Sequence, residues 1–163
     1  MTRVRPVAEQ NSLLHISRST VAAVASLLLS RALHSPEPYW ATISTIVVMQ
    51  SSLGAAWKAS RQRLAGTALG ALLGGALASW VPSTLLAFAL GIFLSGCACL
   101  SLDLDRTAYR FAGITVAIIV LIERNKSPWV MAAHRFVDVS LGIAVALVLT
   151  AVWPEPLPDE AAN

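Results

Sequence analysis

The sequence contains little charge. Of its 163 residues, 13% are charged, whereas a soluble domain of this size carries about twice that share. Acidic residues are the scarcer kind, with 9 against 12 lysines and arginines, and the formal net charge is +3. The basic residues stand in short clusters between apolar runs, a pattern that argues against nucleic acid as a partner and is typical of membrane proteins.

Residues that usually carry catalytic chemistry are also few. The two cysteines, Cys97 and Cys99, lie two positions apart in an apolar run, a spacing that directs them to different sides of a helix. The three histidines lie on separate segments, so we predict no metal site. The sequence has no phosphate-binding loop, nucleophile elbow or metalloprotease helix. We therefore expect neither an enzyme nor a bound cofactor.

Long apolar runs dominate the sequence instead. Hydrophobic residues make up 56% of the chain, and a helix needs roughly 20 of them to cross a bilayer. Six stretches fit, at about residues 14–33, 38–56, 62–81, 83–102, 107–122 and 129–153. The predicted fold class is all-α, a polytopic membrane bundle of six transmembrane helices. This domain, residues 14–153, would lie between a cytoplasmic tail of residues 1–13 and an acidic cytoplasmic tail of residues 154–163.

Tryptophans and basic residues indicate where these spans end and how they are oriented. All five tryptophans fall at predicted span ends, where the amphipathic ring favours the membrane interface. They are Trp40, Trp57, Trp80, Trp129 and Trp153. With the N-terminus inside, eight basic residues fall on inner segments and four on outer ones, which favours two cytoplasmic termini. Arg3 and Arg5 precede the first run as in a signal peptide, but good cleavage residues are missing, so we expect that helix to be retained.

Two parts of the chain resemble each other. Residues 39–45 lead on to residues 63–70, and residues 109–115 lead on to residues 135–142, with Tyr, Thr, Arg and Gly in the same order. Each part would hold three spans, so the second would be inverted relative to the first, as in many secondary transporters. Short apolar sequences also resemble each other by chance, and the sequence leaves both explanations open.

A glycine pattern in the third span predicts close helix packing. Gly66, Gly70 and Gly74 are spaced by four and therefore share one helix face, which lets another helix approach closely. Packing within the bundle is favoured over a seam between two copies. Gly142 is the counterpart of Gly70 in the second repeat, and we assign it the same packing role.

The second span contains polar residues that are candidates for a substrate path. Thr45, Gln50 and Ser51 belong to this group, and Gln50 would lie near the middle of the membrane, about 15 Å from Trp40. The residues after Gln50 are small and polar, and interrupted helices mark binding sites in transporters. The alternative is that Gln50 only bonds a neighbouring helix, and neither interpretation is preferred.

Three ionisable residues inside predicted spans are the sharper candidates. Arg135 and Asp138 fall within the sixth span, where charged groups are costly and usually functional. Asp138 could pair with Arg135, three residues before it, or with His134, four residues before it. Arg63 is the counterpart of Arg135 near the inner face. In the alternative interpretation the pair neutralises itself, and Arg63 merely fixes the topology.

Several of these motifs resemble one family. Residues 38–41 (Pro-Tyr-Trp-Ala), 47–54 (Val-Val-Met-Gln-Ser-Ser-Leu-Gly) and 63–71 (Arg-Leu-Ala-Gly-Thr-Ala-Leu-Gly-Ala) resemble the fusaric acid resistance and aromatic acid exporter family. Arg135, Asp138 and Gly142 look like the start of its closing helix. The resemblance implies an inner-membrane domain of six helices that exports aromatic or other weak organic acids. Larger members are similar to two such domains, so we expect this chain to form a homodimer or a higher homo-oligomer.

The predicted function is therefore export of a small organic anion by a protein surrounded by membrane lipid. Arginines would line the path, and Asp138 would couple export to protons. Two other functions stay open: a non-transporting membrane subunit of a larger assembly, and a passive anion channel of the kind that arginine-lined pores can form.

Overall fold

The described part of the chain is entirely helical. The computed structural model describes residues 5–122 and 127–154. The helices are α1 (Arg5–Ala32), α2 (Tyr39–Val48), α3 (Leu53–Trp80), α4 (Thr84–Ser101), α5 (Arg106–Ala117) and α6 (Pro128–Val152), and a π-helical turn, Ile118–Ile122, continues α5. Three of the segments described are long and apolar enough to cross a membrane: Leu13–Ala32, Thr84–Ser101 and Pro128–Val152. The predicted all-α class is confirmed, whereas six transmembrane spans remain a prediction.

The distribution of side chains is that of a protein surrounded by lipid. Large apolar side chains are exposed, among them Leu28, Phe93 and Leu100, the last of which is 84% exposed. Arginine, aspartate, serine and threonine side chains are meanwhile found in the interior. In water this arrangement would be costly on both counts, but in a bilayer the apolar surface faces lipid and the polar groups face each other.

The predicted second span is interrupted. α2 ends at Val48, because Met49 adopts an extended conformation with φ −59° and ψ 122°. α3 begins at Leu53, directly after Ser52, whose hydroxyl accepts a hydrogen bond from the Ala55 amide at 3.3 Å. Ser52 therefore caps α3, and residues 38–56 do not form the one continuous helix that was expected. Ten residues of α2 give about 15 Å of helix, half the thickness of a bilayer core.

The third predicted span also begins earlier than expected. α3 has 28 residues and starts at Leu53, not near residue 62, because no helix breaker separates Lys58 from Arg63. Similarly, α1 starts at Arg5, inside the predicted tail of residues 1–13. The predicted acidic tail of residues 154–163 lies outside the described residues except for Pro154.

The chain folds as two compact units. Unit 1 comprises Met1–Ala59 together with Leu141–Asn163, and unit 2 comprises Ser60–Ser140. The long helices α3 and α6 each contribute one part to unit 1 and the rest to unit 2.

In unit 1, α2 packs closely against the C-terminal half of α6. The Thr45 hydroxyl lies 2.9 Å from the Gly142 carbonyl oxygen, and the Thr150 hydroxyl lies 3.6 Å from the Met49 sulfur. Residue numbers rise together along the two helices, so the helices are parallel. At Gly142 the contact leaves no room for a side chain, because an added Cβ would overlap the Ala41 carbonyl oxygen.

In unit 2, α3 packs against α5 through the predicted glycine face. The facing pairs are Gly66 with Ala108, Gly70 with Ala112, and Gly74 with Val116. An added Cβ at Gly66 or Gly70 would overlap a carbonyl oxygen of α5. These helices too are parallel, and the register is constant over three pairs. The glycines thus let two helix backbones meet without intervening side chains.

We expect Gly70→Ala and Gly142→Ala to destabilise the protein by about 1–3 kcal/mol each, because overpacking forces rigid backbone apart. Gly54→Ala is the matched control, since nothing lies within 4 Å of a Cβ added there, and alanine favours the helix. Thermal unfolding of the purified proteins in mild detergent measures the difference. Equal midpoints for all three variants would contradict the packing role of these glycines.

Candidate functional site

Three ionisable residues are buried in unit 2. Arg63 is 5% exposed, Arg135 is 4% exposed and Asp138 is 3% exposed. They are the buried charged residues of unit 2 among those that the structure describes. Because a buried charge is costly unless other charges or polar groups compensate it, such a group is a candidate functional site. We call Arg63, Arg135 and Asp138 the charged cluster.

The register between α3 and α6 sets the relative heights of these residues. Gly75 lies beside Trp129, because a Cβ added at Gly75 would lie 3.1 Å from the indole ring. Ala71 shares an apolar cluster with Ala132, and Ala68 lines a groove together with Phe136. The helices are therefore antiparallel within unit 2, since residue numbers fall on one as they rise on the other.

Continued by two residues, this register places Asp138 level with Gly66 on α3. Arg63 then lies about 4.5 Å along the axis from that level, less than the length of an arginine side chain. Arg135 lies three residues before Asp138 on the same helix, on the same face. The register thus places Asp138 and Arg63 at similar heights along the two helices of unit 2.

The Arg63 guanidinium lies over an aromatic ring. Its Cζ atom is 4.6 Å from the centroid of the Phe111 ring, within the range of a cation–π interaction. Phe111 belongs to α5, next to the backbone against which Gly66 packs. Thr67 and Thr115 are also buried in unit 2. The Arg63 part of the charged cluster therefore has an aromatic side.

The charged cluster has an excess of positive charge. Two guanidinium groups and one carboxylate leave one net positive charge in a region shielded from water. Electrostatic attraction is stronger there than in bulk water, because the local dielectric constant is lower. Such a cluster favours an organic anion over a neutral or cationic molecule.

The other predicted substrate-path residues belong to unit 1. Thr45 is buried and bonded to Gly142, as described above. Gln50 is half-buried and Ser51 is exposed, both in the break between α2 and α3. The candidates therefore form two groups, one in each unit.

Gln50 is held through its backbone. Its backbone carbonyl accepts a hydrogen bond from Nη2 of Arg18, while Nη1 of Arg18 donates to the Trp153 carbonyl at 2.7 Å. One guanidinium thus bridges Gln50 and the end of α6. The backbone of Gln50 is therefore level with the last turn of a membrane-length helix and not with its middle.

Sequence reasoning missed the roles of two residues. Arg18 is fully buried, but we counted it only as a basic residue that fixes topology. Its position inside the apolar stretch Leu13–Ala32 was the available signal, since arginines in apolar spans usually have polar partners. No sequence signal marked Phe111, because its place under Arg63 depends on how α3 packs against α5.

The described residues include no group of three or more histidine, cysteine, aspartate or glutamate side chains that could hold a metal ion. The two cysteines are free, with Cys97 exposed and Cys99 buried.

Comparison with known proteins relates this geometry to a family. The sequence pattern of the family described as fusaric acid resistance protein-like matches residues 22–149. The uncharacterized transporter YdhK of Escherichia coli strain K12 is 31% identical over 149 residues, which cover 84% of this chain and 22% of that protein. The inner membrane protein YeeA of the same strain is 28% identical over 152 residues, covering 88% of this chain and 41% of that protein.

The chain therefore spans about a fifth of the length of YdhK and about two fifths of the length of YeeA. No solved structure matches the chain significantly.

Proposed function

Because the chain belongs to the fusaric acid resistance protein-like family, we propose that it is a membrane transporter domain that exports aromatic or related weak organic acids. The observation that carries the proposal is the charged cluster of unit 2, with its two buried arginines and one buried aspartate. An organic acid is an anion at neutral pH, and the excess positive charge of the cluster would attract it.

The aromatic preference is supported by the surroundings of Arg63. A carboxylate can accept two parallel hydrogen bonds from a guanidinium, and the Phe111 ring beneath Arg63 offers a flat apolar surface. An aromatic acid would use both features at once, since its ring can stack while its carboxylate binds arginine. Thr45, Gln50 and Ser51 would line a further part of the path, in unit 1.

Export against a concentration gradient requires an energy source. We propose that Asp138 takes up protons and so couples their entry to the exit of the acid. Exchange of this kind requires that the proton and the acid bind in alternation, with Asp138 protonated while the domain is open to the outside and ionised while it is open to the cytoplasm.

The proposal includes the inverted repeat. It is supported by the equivalent contacts that equivalent glycines make. A Cβ added at Gly70 of α3 would lie 2.8 Å from the Thr115 Cβ of α5, and a Cβ added at Gly142 of α6 would lie 2.8 Å from the Ser44 Cβ of α2. Both helix pairs are parallel. Moreover, α2 ends in a break and α5 ends in a π-helical turn, so both lose α-helical geometry after the glycine contact.

We further propose that the domain lies in the bacterial inner membrane with both termini in the cytoplasm. The name of YeeA supports the inner membrane as the location. The excess of basic residues on predicted inner segments supports the orientation. Reporter fusions after Ser35 should report the outside and fusions at Asn163 the cytoplasm; the reverse result would refute it. We also propose that this domain acts as a homodimer or a higher homo-oligomer.

Transport by purified protein in lipid vesicles tests the proposed function. With an imposed proton gradient, vesicles should move labelled benzoate or salicylate faster than protein-free vesicles, and above its equilibrium distribution. Movement that stops at equilibrium would identify a passive anion channel. No movement above the protein-free rate would leave a non-transporting membrane subunit as the function.

A further inference from the structure

Arg18 is the most deeply buried charged residue of unit 1 in the described part of the chain. Its side chain is fully inaccessible to solvent. The guanidinium donates to the Gln50 carbonyl through Nη2 and to the Trp153 carbonyl at 2.7 Å through Nη1. Two backbone oxygens therefore contact the guanidinium.

Both oxygens lie just beyond the ends of helices. Gln50 lies two residues after α2 ends at Val48, and Trp153 directly follows α6. The last carbonyls of a helix have no partners within it, and the helix dipole adds a partial negative charge there. Since α2 and α6 are parallel in unit 1, their negative ends lie together and attract a cation.

Carbonyls at such helix ends bind the coupling cation in several transporters. In this protein the position is filled by a side chain. We propose that the ends of α2 and α6 form a cation site in which the Arg18 guanidinium is the permanent ion. A planar guanidinium suits two carbonyls because its N–H groups point at both at once.

Two consequences follow. The break between α2 and α3 is stabilised by Arg18, and the site does not require sodium. The second consequence rests on the proposed function, because it concerns coupling, whereas the first concerns the protein alone.

Chemical rescue tests the site directly. Arg18→Ala removes the guanidinium and leaves a space between the carbonyls. We expect the unfolding midpoint of the purified protein to fall by roughly 5–10 °C, because two charge-assisted hydrogen bonds are lost. Guanidinium chloride at low millimolar concentration should restore at least half of this loss in Arg18→Ala. Sodium chloride at the same ionic strength should not.

Three further variants serve as controls. Arg31→Ala removes an exposed arginine of the same helix and should neither lose stability nor respond to guanidinium. Arg18→Met keeps the length without the charge, while Arg18→Lys keeps the charge without the planar fork. We expect Arg18→Lys to be more stable than Arg18→Met, and this comparison holds even if Arg18→Ala cannot be purified.

Absence of rescue by guanidinium, or stability of Arg18→Met equal to the wild type, would overturn the cation site. Rescue by sodium as well as by guanidinium would contradict the part of the proposal that excludes sodium. Transport in vesicles supplies an independent readout: replacing sodium by potassium should leave wild-type rates unchanged. If the wild-type protein transported nothing, the proposed function would fail, yet the stability measurements would still decide the role of Arg18.

Discussion

Replacing Asp138 by asparagine should abolish proton-driven export of aromatic acids. The asparagine keeps the size and most of the hydrogen bonding of the aspartate but cannot take up a proton. Export above the equilibrium distribution should fall at least tenfold, and the remaining transport should no longer depend on the proton gradient. Vesicle transport at several imposed gradients measures the effect.

Asp103→Asn provides a matched control. Asp103 is exposed and has a φ of 52°, a left-handed conformation that asparagine also tolerates well. Loss of a carboxylate at this position should leave both abundance and transport unchanged. Transport by Asp138→Asn that still followed the proton gradient would rule out the coupling role.

A structural role of Asp138 predicts a different pattern. Arg135 would then lose a carboxylate partner inside the protein, and an uncompensated buried charge is strongly destabilising, by about 3–5 kcal/mol. The abundance of Asp138→Asn would fall, and the double variant with Arg135→Gln would restore it. Measuring abundance and transport together in both variants separates coupling from structure.

Replacing Arg63 by glutamine should reduce transport of aromatic acids about 10- to 100-fold, mainly through weaker binding. The variant removes one of two cations in the charged cluster, and each tenfold loss corresponds to about 1.4 kcal/mol. Arg61→Gln is the control on the same helix, because Arg61 is exposed and lies only two residues away. Equal transport by the two variants would mean that Arg63 does not contact the substrate.

Phe111→Leu refines the same test. Leucine retains much of the apolar volume but removes the flat ring under Arg63, so aromatic acids should lose more transport than aliphatic acids of similar size. Competition between benzoate and hexanoate measures the ratio of aromatic to aliphatic acid transport directly. An equal loss for both acids would assign Phe111 to packing rather than to specificity.

The sequence predicted the structural elements better than their ends. Helices were expected from the apolar runs and are present, but residues 38–56 do not form the one continuous helix that was expected. The small polar residues after Gln50 did mark the interruption. Mean hydropathy over a span-length stretch hides such a short break, because the surrounding residues remain apolar.

The candidate site was predictable only in part. Arg63, Arg135 and Asp138 were found because charged residues are rare in apolar sequence, and the structure buries all three. That Asp138 lies at a similar height to Arg63 was not predictable, since it depends on how α3 and α6 are aligned. The same holds for Phe111 beneath Arg63.

The sequence by itself determined that this is a helical membrane protein, because too few charges interrupt its apolar residues for a water-soluble fold. It also identified the glycines at which helices could meet, since glycine alone allows backbones so close together. Only the tertiary structure decided which helices meet there and at what register. It also decided that Arg18 bridges two helix ends, because that role arises from two carbonyls 32 and 135 residues away along the chain.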